Sequence, residues 1–242
     1  MIVIKVIKLR KSPLEKSNEE LGKAKLAGQK RLYKEAASFA EKALDYLGTS
    51  GDRRKSDLIK AHYYEYLGLQ AVKENKALEA TNYFGRSGGF YQRLNMLSEQ
   101  ERVFTQQANI LRVLARNLMA EKKFVDSASY FEQAAMAYQK LNMKFDELDC
   151  KAKSYVSRAA AEKSISGRKL YLKKAVELID EKGTDEPVIK GHLAYYNALF
   201  NEDDLPQIAL KYYAEALQYY QLAGVESRVT EIQHKMNELT YK

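Results

Sequence analysis

The chain has 242 residues, 45% of them hydrophobic and 30% charged, a balance ordinary for a soluble protein of one large domain or two small ones. Its formal net charge is +8, it has no run of 18 apolar residues to span a membrane, and its lone Cys150 excludes an internal disulfide. With 3 prolines, 18 tyrosines, no tryptophan and abundant Ala, Leu, Lys and Glu, the vocabulary is helix-forming, and the expectation is an all-α protein.

The chain opens with "MIVIKVIKLRK". On a helix, Ile2, Val3, Val6, Ile7 and Leu9 fall to one side with Lys5 and Lys8 opposite, a pattern that suits contact with an anionic membrane through residues 1–11. A short strand, or an extension without a role of its own, fits equally well. Lysines break the apolar run after four residues and no small-residue cleavage site follows, so no export signal is read. A cytoplasmic protein is expected, with residues 1–15 as an N-terminal extension and 16–242 as a single domain.

The next segments share a skeleton. "YKEAASFAEKAL" (33–44), "ALEATNYFGRS" (77–87), "FVDSASYFEQAA" (124–135), "RKLYLKKAVEL" (168–178) and "PQIALKYYAEAL" (206–217) carry small and bulky apolar residues spaced by four and three. Ala36, Ala40 and Ala43 fill the first copy, and Ala80, Phe84 and Ser87 the second. Ser127, Phe131 and Ala134 fill the third, Leu172 and Ala175 the fourth, and Ala209, Tyr213 and Ala216 the fifth. These spacings place each set on one helical face. Another amphipathic helix precedes each segment, as over 57–74, 101–121 and 145–163, and a last helix covers 225–239.

Within the second copy, "NYFGRSGGFYQRLNM" (82–96) holds three glycines in five positions and invites a phosphate-loop reading. It aligns without a gap to "SYFEQAAMAYQKLNM" (129–143), 47 residues later, where Glu132, Ala135 and Met136 replace Gly85, Gly88 and Gly89. A repeat of this kind places the glycines on a helix. Three helical glycines cost roughly 3 kcal/mol relative to alanine, so a close helix approach or a kink is expected there. The strand and the Lys-Ser/Thr pair that a nucleotide loop requires are both missing.

The pattern "LG…(turn)…A-x-x-x-[FY]-x-x-A" resembles the tetratricopeptide repeat (TPR). The resemblance covers nearly the whole chain from about residue 16, and its motifs are strongest in copies two, three and five. It implies a right-handed α-α superhelix of about five helix pairs with a C-terminal capping helix. The spacing of 41 to 47 residues exceeds the 34 of the family, and the helix-ending proline is absent from most copies. This long-repeat form is similar to soluble NSF attachment proteins and to peptide-sensing bacterial regulators.

No catalytic constellation emerges, so the chain is not expected to be an enzyme, and neither a cofactor nor a metal is expected. His62, His192 and His234 lack partners at ligand spacing, and Cys150 reads as a small buried hydrophobe. Glu202-Asp203-Asp204 reads as helix capping rather than paired acid–base chemistry, and the tyrosines read as packing residues with one wet end.

In stacked helix pairs, the first helix of each pair lines a concave face. Phase places Asn109, Arg112 and Arg116 there in the third copy, His62, Glu65 and Lys73 in the second, and Lys153 in the fourth. The basic members suit an acidic peptide or a carboxylate. Leu69 stands where a carboxylate clamp for chaperone tails would carry a polar residue, so no complete clamp is read. The expected function is a non-catalytic adaptor binding an acidic partner peptide or helical segment.

The alternative is nucleic-acid binding. Residues 1–120 carry 22 basic against 13 acidic residues, and 121–242 carry 18 against 19, with Lys30-Arg31 and Arg53-Arg54-Lys55 as basic runs in the first half.

Overall fold

A computed structural model describes residues 11–48, 52–180 and 186–241. The segment expected over residues 1–10 lies outside the described residues. Every regular element described is a helix: α1 (Pro13–Gln29), α2 (Tyr33–Leu47), α3 (Arg53–Lys73), α4 (Ala77–Arg93), α5 (Leu97–Ala120), α6 (Phe124–Lys140), α7 (Lys144–Ala161), α8 (Ile165–Asp180), α9 (Pro187–Asn201), α10 (Pro206–Leu222) and α11 (Glu226–Thr240). The chain divides into two compact units, residues 1–110 and 111–242, with the division inside α5. In each unit, helices that follow one another in sequence pack together. Among the described residues, no helix is long and apolar enough to cross a membrane.

The first helix begins three residues earlier than the boundary expected at residue 16. Ser12 caps it, accepting from the Glu15 backbone N–H while the Glu15 carboxylate accepts from the Ser12 N–H. This reciprocal cap, with proline in the first helical position, is a strong start signal in Ser12-Pro13-Leu14-Glu15.

Six helices end in the same way. Arg31, Asn75, Asn95, Lys122, Asn142 and Gly224 adopt left-handed backbone, with φ between 54° and 67°. At each, the following N–H returns to a carbonyl five residues back, as from Met96 to Tyr91, Met143 to Tyr138 and Val225 to Tyr220. These bonds satisfy carbonyls left over at the helix end and turn the chain toward its next helix. Asn75 and Lys122 are 47 residues apart, as are Asn95 and Asn142, so the turns keep the sequence period.

The shared skeleton forms the core. All fourteen positions named for the five copies are at most 3% exposed. Alanine and serine there let helices approach closely, and the serines satisfy themselves across the contact. Ser17 donates to the Ala43 carbonyl, Ser87 to that of Ala61 and Ser127 to that of Ala115, each at 2.8 Å.

The glycine-rich stretch is helical, within α4. A Cβ on Gly88 would meet the ring of buried Phe104 at 2.5 Å, and one on Gly85 would meet Nε2 of Gln107 at 2.7 Å. Close approach of α5 therefore accounts for Gly88, whereas the neighbour at Gly85 is the far end of a side chain that can move aside. Nothing lies within 4 Å of a Cβ on Gly89, and nothing in the structure explains that glycine.

Two stability outcomes are expected. Gly89→Ala stabilises by about 1 kcal/mol through helix propensity. Gly88→Ala gains the same propensity but overpacks against Phe104 at a cost of about 1–3 kcal/mol, and so destabilises. Thermal unfolding separates them, since about 1 kcal/mol moves the Tm of a chain this size by about 2–4 °C. Lys122→Gly is a second check, because a side chain in left-handed backbone costs about 1–2 kcal/mol. After the extra chain entropy of glycine, of about 0.4–1 kcal/mol, a net gain of about 0.5–1 kcal/mol is expected in denaturant melts.

Candidate functional site: two polar clusters and a basic cavity

In the first unit the polar cluster is built by α3, α4 and α5. Glu65, only 4% exposed, accepts both guanidinium nitrogens of Arg102 and the Tyr91 hydroxyl at 2.8 Å. Because that hydroxyl gives its proton to Glu65, Nδ1 of His62, 3.0 Å from the same oxygen, must act as the donor. His62 Nε2 is then an acceptor, and it is buried without a hydrogen-bond partner among the described residues. His62 also stacks on Tyr66.

The second unit repeats the motif on α9 and α10. The Tyr220 hydroxyl lies 2.5 Å from Nδ1 of His192, which stacks on Tyr196 as His62 does on Tyr66. Nε2 of His192 faces Oδ1 of Asp149 at 3.5 Å, and the other oxygen of Asp149 holds buried Lys153. Burial alone would push the Asp149 carboxyl up. Lys153 first, then His192, outweighs it, so the carboxyl titrates below its usual range. On α11, Glu231 accepts from the Tyr195 hydroxyl at 2.7 Å and from Arg228 at 2.6 Å.

These groups border a cavity of about 650 Å³ confined to the second unit. Arg112, Arg116, Lys153 and Arg228 stand around it against Asp146, Asp149 and Glu231, leaving one positive charge in excess. Phe131, Phe145, Val156, Val188 and Val225 supply apolar wall. Arg112 lies 3.2 Å from Asp146 and over the ring of Tyr138. Arg116 is exposed and forms no ion pair among the described residues.

Of the residues expected on a concave face, Arg112, Arg116 and Lys153 meet at this cavity, while His62 and Glu65 meet in the first-unit cluster. Asn109 and Lys73 are exposed on α5 and α3 and do not line the cavity. Lys153 is 7% exposed and held by Asp149, so it is a buried ion-pair member rather than a groove cation.

Glu202-Asp203-Asp204 does not cap α10, whose first turn takes no side-chain cap. Asp203 pairs with Arg168, Asp204 with Lys169, and Glu202 accepts from Tyr213 and Lys235. Cys150 is fully buried, and burial pushes its thiol up to about 12. Among the described residues, no group of three or more His, Cys, Asp or Glu side chains is placed to hold a metal ion.

Several site residues escape the phase argument: Asp149, His192, Tyr220, Arg228 and Glu231. A signal for two of them lies in the sequence. The pattern H-x-x-x-Y followed by Tyr-Gln occurs at His62, Tyr66 and Tyr91-Gln92, and again at His192, Tyr196 and Tyr220-Gln221. No protein-family model matches the chain, and no curated protein matches it. What the described residues show is an all-helical chain whose consecutive helices pack together, consistent with a helical repeat.

Burial lowers both His62 and His192 to about 4, so each is neutral in the native state. In the unfolded chain a histidine takes up its proton near 6.5. Between about pH 6.5 and 4 the unfolded state thus binds more protons. The stability gained by keeping the histidines neutral is complete above that window and is lost as pH falls through it. Each histidine accounts for up to about 3 kcal/mol. The expected outcome is a Tm that drops steeply across the window and a shallower drop in His62→Gln/His192→Gln. An equally steep drop in the double variant would assign the titration to other groups.

Proposed function

We propose that the protein is a non-catalytic adaptor built of TPR-like helix pairs, and that it takes an acidic peptide or helical segment of a partner protein into the second-unit cavity. One observation carries this reading: Arg112, Arg116, Lys153 and Arg228 gather at a cavity with apolar walls and one positive charge in excess. A ligand with a carboxylate beside an apolar side chain meets both features. Its anion takes the charge-assisted bonds and its apolar group the desolvated wall. Arg116, exposed and without an ion pair among the described residues, is the natural first contact, and its planar fork suits a carboxylate.

The buried His–Tyr pairs support a binding rather than a catalytic role. The pair recurs in both units, where it fastens α3 to α4 and α9 to α10, and the first-unit pair lines no part of the basic cavity. A recurring fastener is what a helical repeat needs, whereas a reaction centre needs only one.

The test is calorimetric titration with synthetic peptides that combine glutamates with an aromatic residue, using sequence-matched basic peptides as controls. Acidic peptides are expected to bind and basic ones to fail. Arg116→Glu is expected to weaken binding about tenfold or more, since a hydrogen bond to a charged group is worth about 1.5–3 kcal/mol. Acidic-peptide affinity unchanged in Arg116→Glu would remove the cavity from consideration.

A further inference from the structure

The first unit carries a second surface, on α3 and α4, whose chemistry differs from that of the cavity. Tyr64 lies between Tyr83 and Phe90, with ring centroids 6.3 and 5.8 Å away and planes tilted by only 22° and 12°. All three rings are half-buried and reach the surface. Cations cover this row: Arg86 lies 5.4 Å from the Tyr64 ring centre, Arg93 lies 4.3 Å from that of Phe90, and Lys60 lies 6.0 Å from the same ring. A guanidinium stacked on a ring keeps a fixed plane and presents its N–H edges outward, the geometry that grips phosphate.

The row continues into a basic pocket. Arg93 also lines a cavity of about 530 Å³ together with Arg53 and Arg54. Asp57, 3.3 Å from Arg93, is the acidic residue in that lining. Arginine dominates here although the chain favours lysine. Of 40 basic residues only 12 are arginines, yet four of the five cations named on this surface are. Helix stability does not explain the cluster either. Arg53, Arg54 and Lys55 occupy the first turn of α3, which has no acidic residue and where the helix dipole disfavours positive charge.

From this arrangement we propose that the α3–α4 face of the first unit binds single-stranded nucleic acid, with the N–H edges of the arginines on phosphates and unpaired bases stacking on the outer guanidinium planes, which the Tyr64–Tyr83–Phe90 row supports, and on the ring faces the cations leave open. An acidic protein segment satisfies the charge but makes no use of parallel aromatic rings. A duplex offers phosphates but keeps its bases stacked internally. A single strand uses both elements. This surface shares no residue with the acidic-peptide cavity, so either can fail without the other.

The test uses the full chain and a labelled oligo-dT, with fluorescence anisotropy read over a salt series. For single strands, the slope of log K against log salt is about −0.7 per phosphate neutralised. Arg86→Ala/Arg93→Ala removes two exposed cations and is expected to make the slope shallower by about 1.4. Tyr64→Leu keeps an apolar group of similar bulk but removes the ring, and is expected to weaken binding about tenfold with the slope unchanged. Helix content by circular dichroism checks that each variant is folded. Arg116→Glu, in the other unit, is expected to leave oligo-dT binding unchanged.

A slope that does not change in the double arginine variant would overturn the proposal. So would Tyr64→Leu binding as tightly as the unmodified chain, or duplex DNA competing as well as oligo-dT. Poly-glutamate displacing oligo-dT at equal charge would assign the surface to an acidic protein instead.

Discussion

The left-handed residue that ends a helix sets the phase of what precedes it. In three copies, the carbonyl that receives the turn's long hydrogen bond belongs to a tyrosine: Tyr91, Tyr138 and Tyr220. Each tyrosine stands four residues before its left-handed residue, at Asn95, Asn142 or Gly224. The turn thus fixes the tyrosine's azimuth on its helix, and all three side chains are fully buried. The hydroxyl at the ring's end then needs a polar partner, because an unpaired buried hydroxyl is costly. For Tyr91 and Tyr220, His62 and His192 meet that need from the first helix of the pair. For Tyr138, Arg112 lies over the ring.

Polar complementarity spreads outward from that point. Three residues before the small contact residues Gly68, Ala115 and Ala198 stand Glu65, Arg112 and Tyr195. Seven residues after the left-handed residues stand Arg102, Asp149 and Glu231. Glu65 pairs with Arg102 and Tyr195 with Glu231, while Arg112 pairs with Asp146, close to one turn before Asp149. Acid faces base, base faces acid, and hydroxyl faces acid. The backbone geometry recurs while the chemistry is exchanged, so what recurs is a satisfied contact rather than a particular pair. Removing one member of such a contact strands the other in a desolvated site.

Much of the architecture was legible in the sequence because it is local. The spacing of small and bulky residues along one helix is dictated by the helix period, and Ala80, Phe84 and Ser87 declare their buried face without any knowledge of the neighbours. The identity of Gly85 and Gly88 as helix residues followed from the 47-residue alignment alone. Helix phase put Arg112, Arg116 and Lys153 on one concave face with Asn109, Lys73, His62 and Glu65; the first three line one cavity and the other four do not. Phase does not report burial: whether Lys153 is exposed or buried depends on Asp149 one turn away and on α9 beyond it. It also missed Arg228 and Glu231. Their role arises where α11 meets α9, helices separated by another in the chain, and no single-helix periodicity reports such a meeting.

The two basic surfaces differ in a way that net charge conceals. At the second-unit cavity the cations are largely matched. Arg112, Lys153 and Arg228 each have a carboxylate, and the excess is a single charge beside apolar wall. The acidic peptide proposed for this cavity would be selected by shape and by desolvated contact, with modest dependence on salt. On the α3–α4 face, Arg53, Arg54, Arg86, Arg93 and Lys60 stand against Asp52 and Asp57, and the counter-charges for the excess of three must come from solution. A single strand bound there, as proposed, would release condensed ions and its binding would weaken steeply as salt rises. The two surfaces are therefore in different electrostatic regimes, and salt dependence, more than affinity, would tell which one a ligand occupies.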